Sequence, residues 1–449
     1  MWLQEICRQP SVSAQKRGIS ETAKMVEVFL DEIGAAHEQV STNGNPIVFG
    51  EIQEGRKRTL SFYNHYDVQP EDPLDEWDYE PFGAEIHEGK LFARGVADNK
   101  GNLMARISAV HAYQQVYGKL PVNIKFVVDG EEEVGSIHTH EIAVKHPEKV
   151  MTDGFIWESG YRNGDDRWQV RLGVKGMLYV ELRAKTANYD IHSLNAPIVP
   201  NSAWRLTWAL NTLKDTQEKV LIDGFYDNVK EPTETEIDIL EKMAYSEESN
   251  LKTFGIPEFL NGISDYELRK RLIFEPTCTI CGLDSGYTGE GSKTILPATA
   301  IAKIDFRLVA EQDPDLILEL LRNHLDKHGF QDIEIHKISG KRSHKTDPNH
   351  PLAKTVMDVV RERSGKEPQV LINTPGTGPM AKLCKDMGIP AVGIGVGHQD
   401  SKIHAPNENI ILEDYVEGIK MIAAIMERFA EEAQEPDKET NKTKMLKGV

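Results

Sequence analysis

Five short stretches carry side chains able to bind a metal, and most of them sit where a run of apolar residues stops. They are NHYDVQP with His65 and Asp67, ARGVADNKG with Asp98, VVDGEEEVGS with Glu131, Glu132 and Glu133, FIWESG with Glu158, and KIHAPNE with His404. Two imidazoles and several carboxylates, with no thiolate among them, make a nitrogen and oxygen donor set. Such a set suits two borderline divalent ions such as zinc or manganese, and it argues against a structural zinc site. On a strand, residues two apart point the same way, so Asp67 is expected to reach the second ring nitrogen of His65. A carboxylate there fixes the tautomer and raises the basicity of a liganding imidazole. Asp98, held in a glycine-rich turn before a helix, could bridge two cations. Crowded glutamates raise one another's pKa, which cations relieve. Two neighbours can then divide the labour, one as ligand and one as general base.

Each stretch also has an ordinary explanation. His and Asp two apart occur by chance in polar loops. Asp at a helix start is a routine cap. A short acidic run is usually solvated. Glu158 and His404 could be an exposed carboxylate and a satisfied surface histidine. Against these stands the recurrence of such groups where predicted strands end, which is where open α/β sheets place their sites.

The elements that must position them are legible from hydrophobic periodicity. Helices are predicted over Ser20 to Gly34, with Ser20 as cap and Met25, Val28, Phe29 and Leu30 on the apolar side, and over Asn102 to Val116 as a buried helix. Strands are predicted over Thr59 to Asn64, Val122 to Asp129 and Gly154 to Trp157. The alternation implies an α/β catalytic domain with helices on both faces of its sheet. Near Gly176 the character changes. Leu178 to Lys185 and Thr299 to Val309 alternate as half-buried antiparallel strands. Pro314 to Gly329 is an amphipathic helix capped by Asp313, and Ile333 to Ile338 is a further strand. This block reads as an inserted α+β domain. The α/β pattern returns with a helix at Leu352 to Arg363, a strand at Pro390 to Gly395 and a helix at Ile411 to Phe429. The expected division is 1–176 and 341–432 for the catalytic domain, 177–340 for the insertion, and 433–449 for a charged tail.

The 449 residues exceed one ordinary core, and 39 % apolar with 27 % charged residues is a globular composition. A formal net charge of −19 argues against nucleic acid and against docking on anionic lipid. Four cysteines, Cys7, Cys278, Cys281 and Cys384, do not make a disulfide scaffold. Cys278 and Cys281 lack the second pair a zinc ribbon needs and read as two thiols on a β segment. No stretch approaches the ~20 apolar residues of a membrane span. The expectation is a cytoplasmic protein.

The ordered set HYDVQP, ARGVADNKG, DGEEEVGS, WES and HAPNE resembles the co-catalytic dinuclear metallopeptidases that include carnosinases, bacterial glutamate carboxypeptidase, aminoacylase and succinyl-diaminopimelate desuccinylase. The resemblance covers nearly the whole chain. It implies two divalent ions, zinc before manganese or cobalt, and hydrolysis of an amide bond in a peptide or N-acyl amino acid. His65 and Glu158 then look like ligands of one ion and His404 and Glu133 of the other, with Asp98 bridging. Glu132 resembles the general base and Asp67 the orienting acid. The inserted block resembles the family's lid and dimerisation domain, which implies a homodimer. Its motif NYDIHSLN contains His192, which in related enzymes reaches the partner's active site to stabilise an oxyanion. Thr294 and Arg307, in KTILPATAIAKIDFRLV, fall where carnosinase-like relatives contact substrate. Gly376 and Thr377, in NTPGTGP, fall where relatives hold a substrate carboxylate. Two departures bear on substrate class. Carnosinase-type dipeptidases carry Asp where this chain has Glu158, as carboxypeptidases and deacylases do not. The Arg that they carry just after the lid proline is Ala298 here. The rival readings are a deacylase and a non-catalytic relative that binds peptides or amino acids.

Overall fold

Every residue of the strand Asn123–Asp129, NIKFVVD, is buried in the computed structural model, which describes residues 2–431. Burial on both faces is the mark of a strand inside a parallel sheet covered by helices. That strand is one of eight in a mixed sheet. In chain order they are β1 (Ala36–Val40), β2 (Ile47–Ile52), β3 (Thr59–His65), β4 (Asn123–Asp129), β5 (Gly154–Trp157), β6 (Gln169–Arg171), β7 (Gln369–Leu371) and β8 (Ala391–Gly393). Their spatial order is β1-β2-β4-β3-β5-β8-β6-β7. The central strands β4, β3, β5 and β8 run parallel, and their registers set His65 beside Asp129 and Gly393 beside Trp157. Four carboxyl ends therefore lie along one edge of the sheet, and the glutamate motifs follow β4 and β5, while Asp98 follows the strand Lys90–Phe92 of a separate three-stranded sheet.

The chain forms two compact units. Unit 1 comprises Met1–Leu172, Thr346–Val370 and Lys382–Val449. Its core joins the sheet to the helices Ile19–Glu32, Gly101–Tyr117, Pro351–Ser364 and Leu412–Glu431. Unit 2 comprises Gly173–Lys345 and Leu371–Ala381. It has its own core, in which the helices Ser202–Leu213 and Pro314–Lys327 pack on a four-stranded antiparallel sheet. The sheet order is Thr277–Ser285, Thr299–Leu308, Gly176–Lys185, Glu334–Lys341. Gly176–Lys185 alternates buried and half-buried residues along its length, as an antiparallel strand with one covered face must. Asp313 caps its helix by accepting the Asp315 amide. Cys278 and Cys281 lie on the edge strand and are free thiols. The tail expected over 433–449 lies outside the described residues.

Several details differ from the sequence reading. The first long helix begins at Ile19 behind Gly18, which sits at φ 71, and Ser20 lies inside the helix without capping it. Glycine enters the left-handed region at no steric cost, and a Cβ there would meet the Pro10 carbonyl at 1.9 Å. Val28 is exposed, and Val26 takes the buried position. The helix read as buried throughout, Gly101–Tyr117, is buried only in its first half. Between 202 and 274 lie four helices of which composition gave no sign, including Glu234–Lys242, whose Thr233 and Glu236 form a capping box. Among the described residues no helix is long and apolar enough to cross a membrane.

One buried cation ties the site edge together. Arg106, from the helix Gly101–Tyr117, donates to the carbonyls of Trp157 (2.8 Å), Glu158 (3.1 Å) and Ile394 (3.0 Å). Arg106→Leu would remove the donor shared by these three carbonyls, of which Glu158 keeps a second donor in Asn99, and is expected to destabilise the protein by about 3 to 5 kcal/mol. Urea unfolding followed by tryptophan fluorescence measures this, and a loss below about 1 kcal/mol would contradict it.

Candidate active site

His65 is the last residue of β3 and is fully buried. Its Nδ1 donates to the main-chain oxygen of Asp67 at 3.0 Å, with the Asp67 carboxylate at 3.4 Å. Nδ1 thus meets both the carbonyl and, at longer range, the carboxylate of Asp67, and that carboxylate has a second task. Asp67 Oδ1 and Oδ2 accept the amides of Glu132 and Glu133, each at 3.1 Å. The strand alternation that motivated the sequence argument ends at His65, so Asp67 turns toward the next loop. By accepting both amides, it fixes the backbone from which Glu132 and Glu133 project.

His65 Nε2 lies 3.0 Å from Asp98 Oδ1, and Asp98 Oδ2 lies 3.3 Å from His404 Nε2. Asp98 therefore stands between two imidazoles with one oxygen turned to each. It makes no cap to the helix that follows, so the capping explanation fails. His404 Nε2 is also 3.1 Å from Glu133 Oε2, and His65 Nε2 is 3.9 Å from Glu158 Oε2. Ligand atoms of His65, Asp98 and Glu133 all lie within 4.8 Å of one another. Glu131, the first of the three glutamates, turns away and pairs with His138 through Nδ1 at 3.1 Å. Glu132 and Glu133 remain, at the other end of the turn.

The electrostatics follow from crowding. Burial raises the Glu132 carboxyl well above the usual range, and the Glu158 charge adds to it. Burial also lifts Glu158 to about 7, with Asp98 adding to the rise and His65 opposing it. His404 rises to about 10 through its hydrogen bonds to Asp98 and Glu133. Burial would depress His65, but its bonds to Asp67 and Asp98 outweigh that and hold its imidazole well above 6.5. Two oxygens, Glu133 Oε1 and Glu158 Oε2, are buried without any hydrogen-bond partner. An unpaired buried carboxylate oxygen is costly. Divalent ions among these groups would engage both oxygens, and the donor set fits them.

Residues of ordinary type hold this constellation, and the motif reading passed over them. Glu408, in the same HAPNE stretch as His404, is fully buried. It accepts the amides of Gly95 (2.9 Å), Ala97 (2.9 Å) and Asp98 (3.0 Å) and pairs with Arg94 at 2.8 Å. It thus grips the turn that presents Asp98 from the segment that presents His404. Gln69 Nε2 donates to Glu133 Oε2 at 3.0 Å, and Trp157 Nε1 donates to Glu158 Oε1 at 3.3 Å. Asn99 Nδ2 holds the Glu158 carbonyl at 3.0 Å. The signal available was position: Arg94 and Glu408 both stand inside the quoted motifs.

In unit 2, His192 is exposed on a two-residue strand paired with Ile295–Leu296. Its Nδ1 accepts the Leu194 amide at 3.1 Å, which leaves the proton on Nε2. Thr294 adjoins it, its carbonyl accepting the Ser193 amide at 3.1 Å. Arg307 pairs with Asp305 at 2.8 Å and reaches Thr377 Oγ1 at 3.0 Å. Gly376 lies in the same corner, its carbonyl accepting the Lys175 amide at 3.1 Å. Unit 2 thus holds two groupings, His192 with Thr294, and Arg307 with Gly376 and Thr377.

Comparison with known proteins agrees with the geometry. The profile described as Peptidase family M20/M25/M40 matches residues 61–428. The chain is similar to a solved M20 family metallo-carboxypeptidase, Sso-CP2 from Sulfolobus solfataricus, with 40 % identity, a TM-score of 0.89, and coverage of 95 % of this chain and 98 % of that one. It is 29 % identical to the human Beta-Ala-His dipeptidase over 87 % of this chain and 78 % of the relative. It is 26 % identical to the Cys-Gly metallodipeptidase dug1 of Schizosaccharomyces pombe over 94 % and 93 %.

Metal loading should release protons. Metal binding requires the neutral imidazoles of His65 and His404 and an ionised Glu158. Bonds to Asp67 and Asp98 raise His65 and bonds to Asp98 and Glu133 raise His404 to about 10, which favours protonated imidazoles in the metal-free protein, and Glu158, lifted by burial to about 7, adds part of another proton as pH falls. Calorimetric titration of manganese into metal-stripped protein, in buffers of different ionisation enthalpy, is expected to show roughly two or more protons released. Release should rise and affinity fall from pH 8 to pH 6. A proton count near zero would refute these charge states.

Proposed function

The chain belongs to peptidase family M20/M25/M40, and from that membership we propose that it is a dinuclear metallopeptidase acting on short peptides with a free C-terminus, as a carboxypeptidase or dipeptidase. The observation that carries this reading is the placing of Asp98 between His65 and His404, one oxygen to each. His65 and Glu158 would hold one ion, His404 and Glu133 the other, with Asp98 shared and zinc preferred to manganese or cobalt. When bound, the ions supply Lewis acidity to a water and to the scissile carbonyl.

Glu132 would take a proton from the attacking water and pass it to the leaving amine. Asp67 positions Glu132 and Glu133 through their amides. Gly376 and Thr377 would contact the substrate carboxylate, with Arg307 and Thr294 lining the substrate. Ion pairing with Asp305 leaves Arg307 charge-compensated before substrate arrives. The Nε2–H of His192 would donate to the oxyanion in the partner's site, which requires a homodimer through unit 2. Two features of unit 2 favour such an interface. Trp204 and Trp208 stack at 5.9 Å on the outer face of their helix and are 59 % and 55 % exposed. The edge strand Thr277–Ser285 leaves Ile280 and Leu283 exposed. Edge strands and large apolar patches of this kind are rarely left uncovered.

Glu158 in place of Asp favours a carboxypeptidase or deacylase, and the 40 % likeness to a metallo-carboxypeptidase favours the former. The test is amine release by metal-reloaded protein on unblocked dipeptides and on N-acyl amino acids with the same C-terminal residues. Cleavage of the unblocked dipeptides alone would make it a dipeptidase, despite Glu158, and cleavage of the acylated set would place it with the carboxypeptidases and deacylases. No cleavage of either with two ions bound would favour the peptide-binding relative.

Glu132→Gln is expected to lower kcat about 10³-fold or more while both ions remain bound by elemental analysis. Mixing Glu132→Gln subunits with His192→Ala subunits should restore part of the activity, because one intact site then forms per mixed dimer. No restoration would place His192 in its own subunit's site or outside catalysis.

A further inference from the structure

Most cations of unit 1 near the site are already committed. Arg94 is paired with Glu408, Arg106 is spent on three carbonyls, and Lys100 donates to the carbonyls of Ile6 and Gln9 at 3.1 and 2.6 Å. Arg171 differs from them. It ends β6, is half-buried, and has no carboxylate within ion-pair distance among the described residues. Its firm side-chain bond is to Ser159 Oγ at 3.0 Å, and its contacts to Gln169 are long at 3.4 Å. Ser159 is the residue after Glu158, so the guanidinium is anchored to the loop that carries a proposed metal ligand. The charges of Glu158 and Asp98 both act on it.

The surroundings are built to hold this side chain. The guanidinium lies over the Tyr161 ring at 5.2 Å, which fixes its plane at little cost in hydration. On β8 the residue opposite is Gly393, where a Cβ would meet the Arg171 Cβ at 3.1 Å and the Ser159 carbonyl at 3.0 Å. A side chain there would displace either the arginine or the loop. Arginine fork geometry matches a carboxylate bidentately, and a desolvated guanidinium without a counter-ion gains most from one. Once ions neutralise the acidic cluster, Arg171 stands as the uncompensated charge beside it.

We propose that Arg171 is a specificity-determining residue, the cation that receives a carboxylate of the substrate beside the Glu158 loop. The inference rests on the peptidase reading and deepens it.

The test uses full-length, metal-loaded protein and the substitutions Arg171→Gln and Arg171→Lys. The probes are one dipeptide as free acid and as C-terminal amide, and an analogue pair with Glu or Gln on the acyl side. Kd is read by calorimetry in a Glu132→Gln background, and KM and kcat in the wild-type background. For Arg171→Gln we expect at least a tenfold rise in Kd and KM for the probe that keeps the recognised carboxylate, a change under twofold for the probe that lacks it, and kcat changed less than KM. Arg171→Lys should restore part of the loss. A penalty abolished by amidation identifies the α-carboxylate, and one abolished by Glu→Gln identifies a side-chain carboxylate. Equal losses on all four probes, or a fall in kcat alone, would overturn the proposal and make Arg171 a strut for Ser159 and Tyr161. Failure of the peptidase reading shows separately, as absent turnover by the wild type, while the Kd comparison still decides Arg171.

Discussion

Like charges have to be kept together in this protein. Asp98, Glu132, Glu133 and Glu158 share one edge of a sheet, where water would otherwise let them separate. Two imidazoles offset part of the repulsion, and divalent ions would offset the rest. The remainder of the burden falls on the backbone. Asp67 and Glu408 are themselves carboxylates, yet each is turned from the cluster and saturated by amide donors, Asp67 by two and Glu408 by three with Arg94. These hydrogen bonds to charged acceptors are individually worth about 1.5 to 3 kcal/mol. They fix the turns that carry Asp98, Glu132 and Glu133 before any ion arrives. The site is therefore a set of acidic side chains held by other acidic side chains.

The parallel core explains why this can be done at one place. Strands β3, β4, β5 and β8 end together, so residues from positions 65 to 404 meet within a few side-chain lengths. Fully buried strands fix register through packing, because a one-residue slip would turn every side chain to the opposite face and against a different set of neighbours. Arg106 then pins the ends of β5 and β8 by their carbonyls. Precision at the edge is a consequence of packing in the middle.

Much of this was readable in the sequence, for a definite reason. Buried strands and amphipathic helices announce themselves by apolar runs and periods, and His, Asp and Glu at strand ends announce possible chemistry. The limits were equally physical. Asp67 lies two residues beyond the end of its strand, where alternation no longer applies, and its main-chain oxygen comes nearer His65 Nδ1 (3.0 Å) than its carboxylate (3.4 Å). Ser20 looked like a cap, yet only a glycine at 18 fits against the Pro10 carbonyl. Glu408 and Arg94 gave no signal of their own, because their partners are main-chain amides and each other, and neither leaves a periodic trace. The helices from 234 to 274 pack largely within a small satellite cluster, so their apolar faces are too narrow to show.

The position of β8 has a consequence for the birth of the chain. This strand, Ala391–Gly393, lies between β5 and β6 in the sheet, although it is made long after both. A ribosome delivers the N-terminal strands first, then the whole of the 173–345 block, and only then the strand that fills the gap. Through that interval β5 presents an open edge and β6 has neither of its sheet neighbours, the kind of surface that recruits foreign strands. The block between them has its own core and its Gly173 and Lys345 paired side by side, so it can close on itself while the first sheet waits. Vectorial synthesis therefore makes most of the inserted unit before the catalytic sheet can close: that unit is complete only with Leu371–Ala381, and the sheet is sealed when synthesis has reached Gly393.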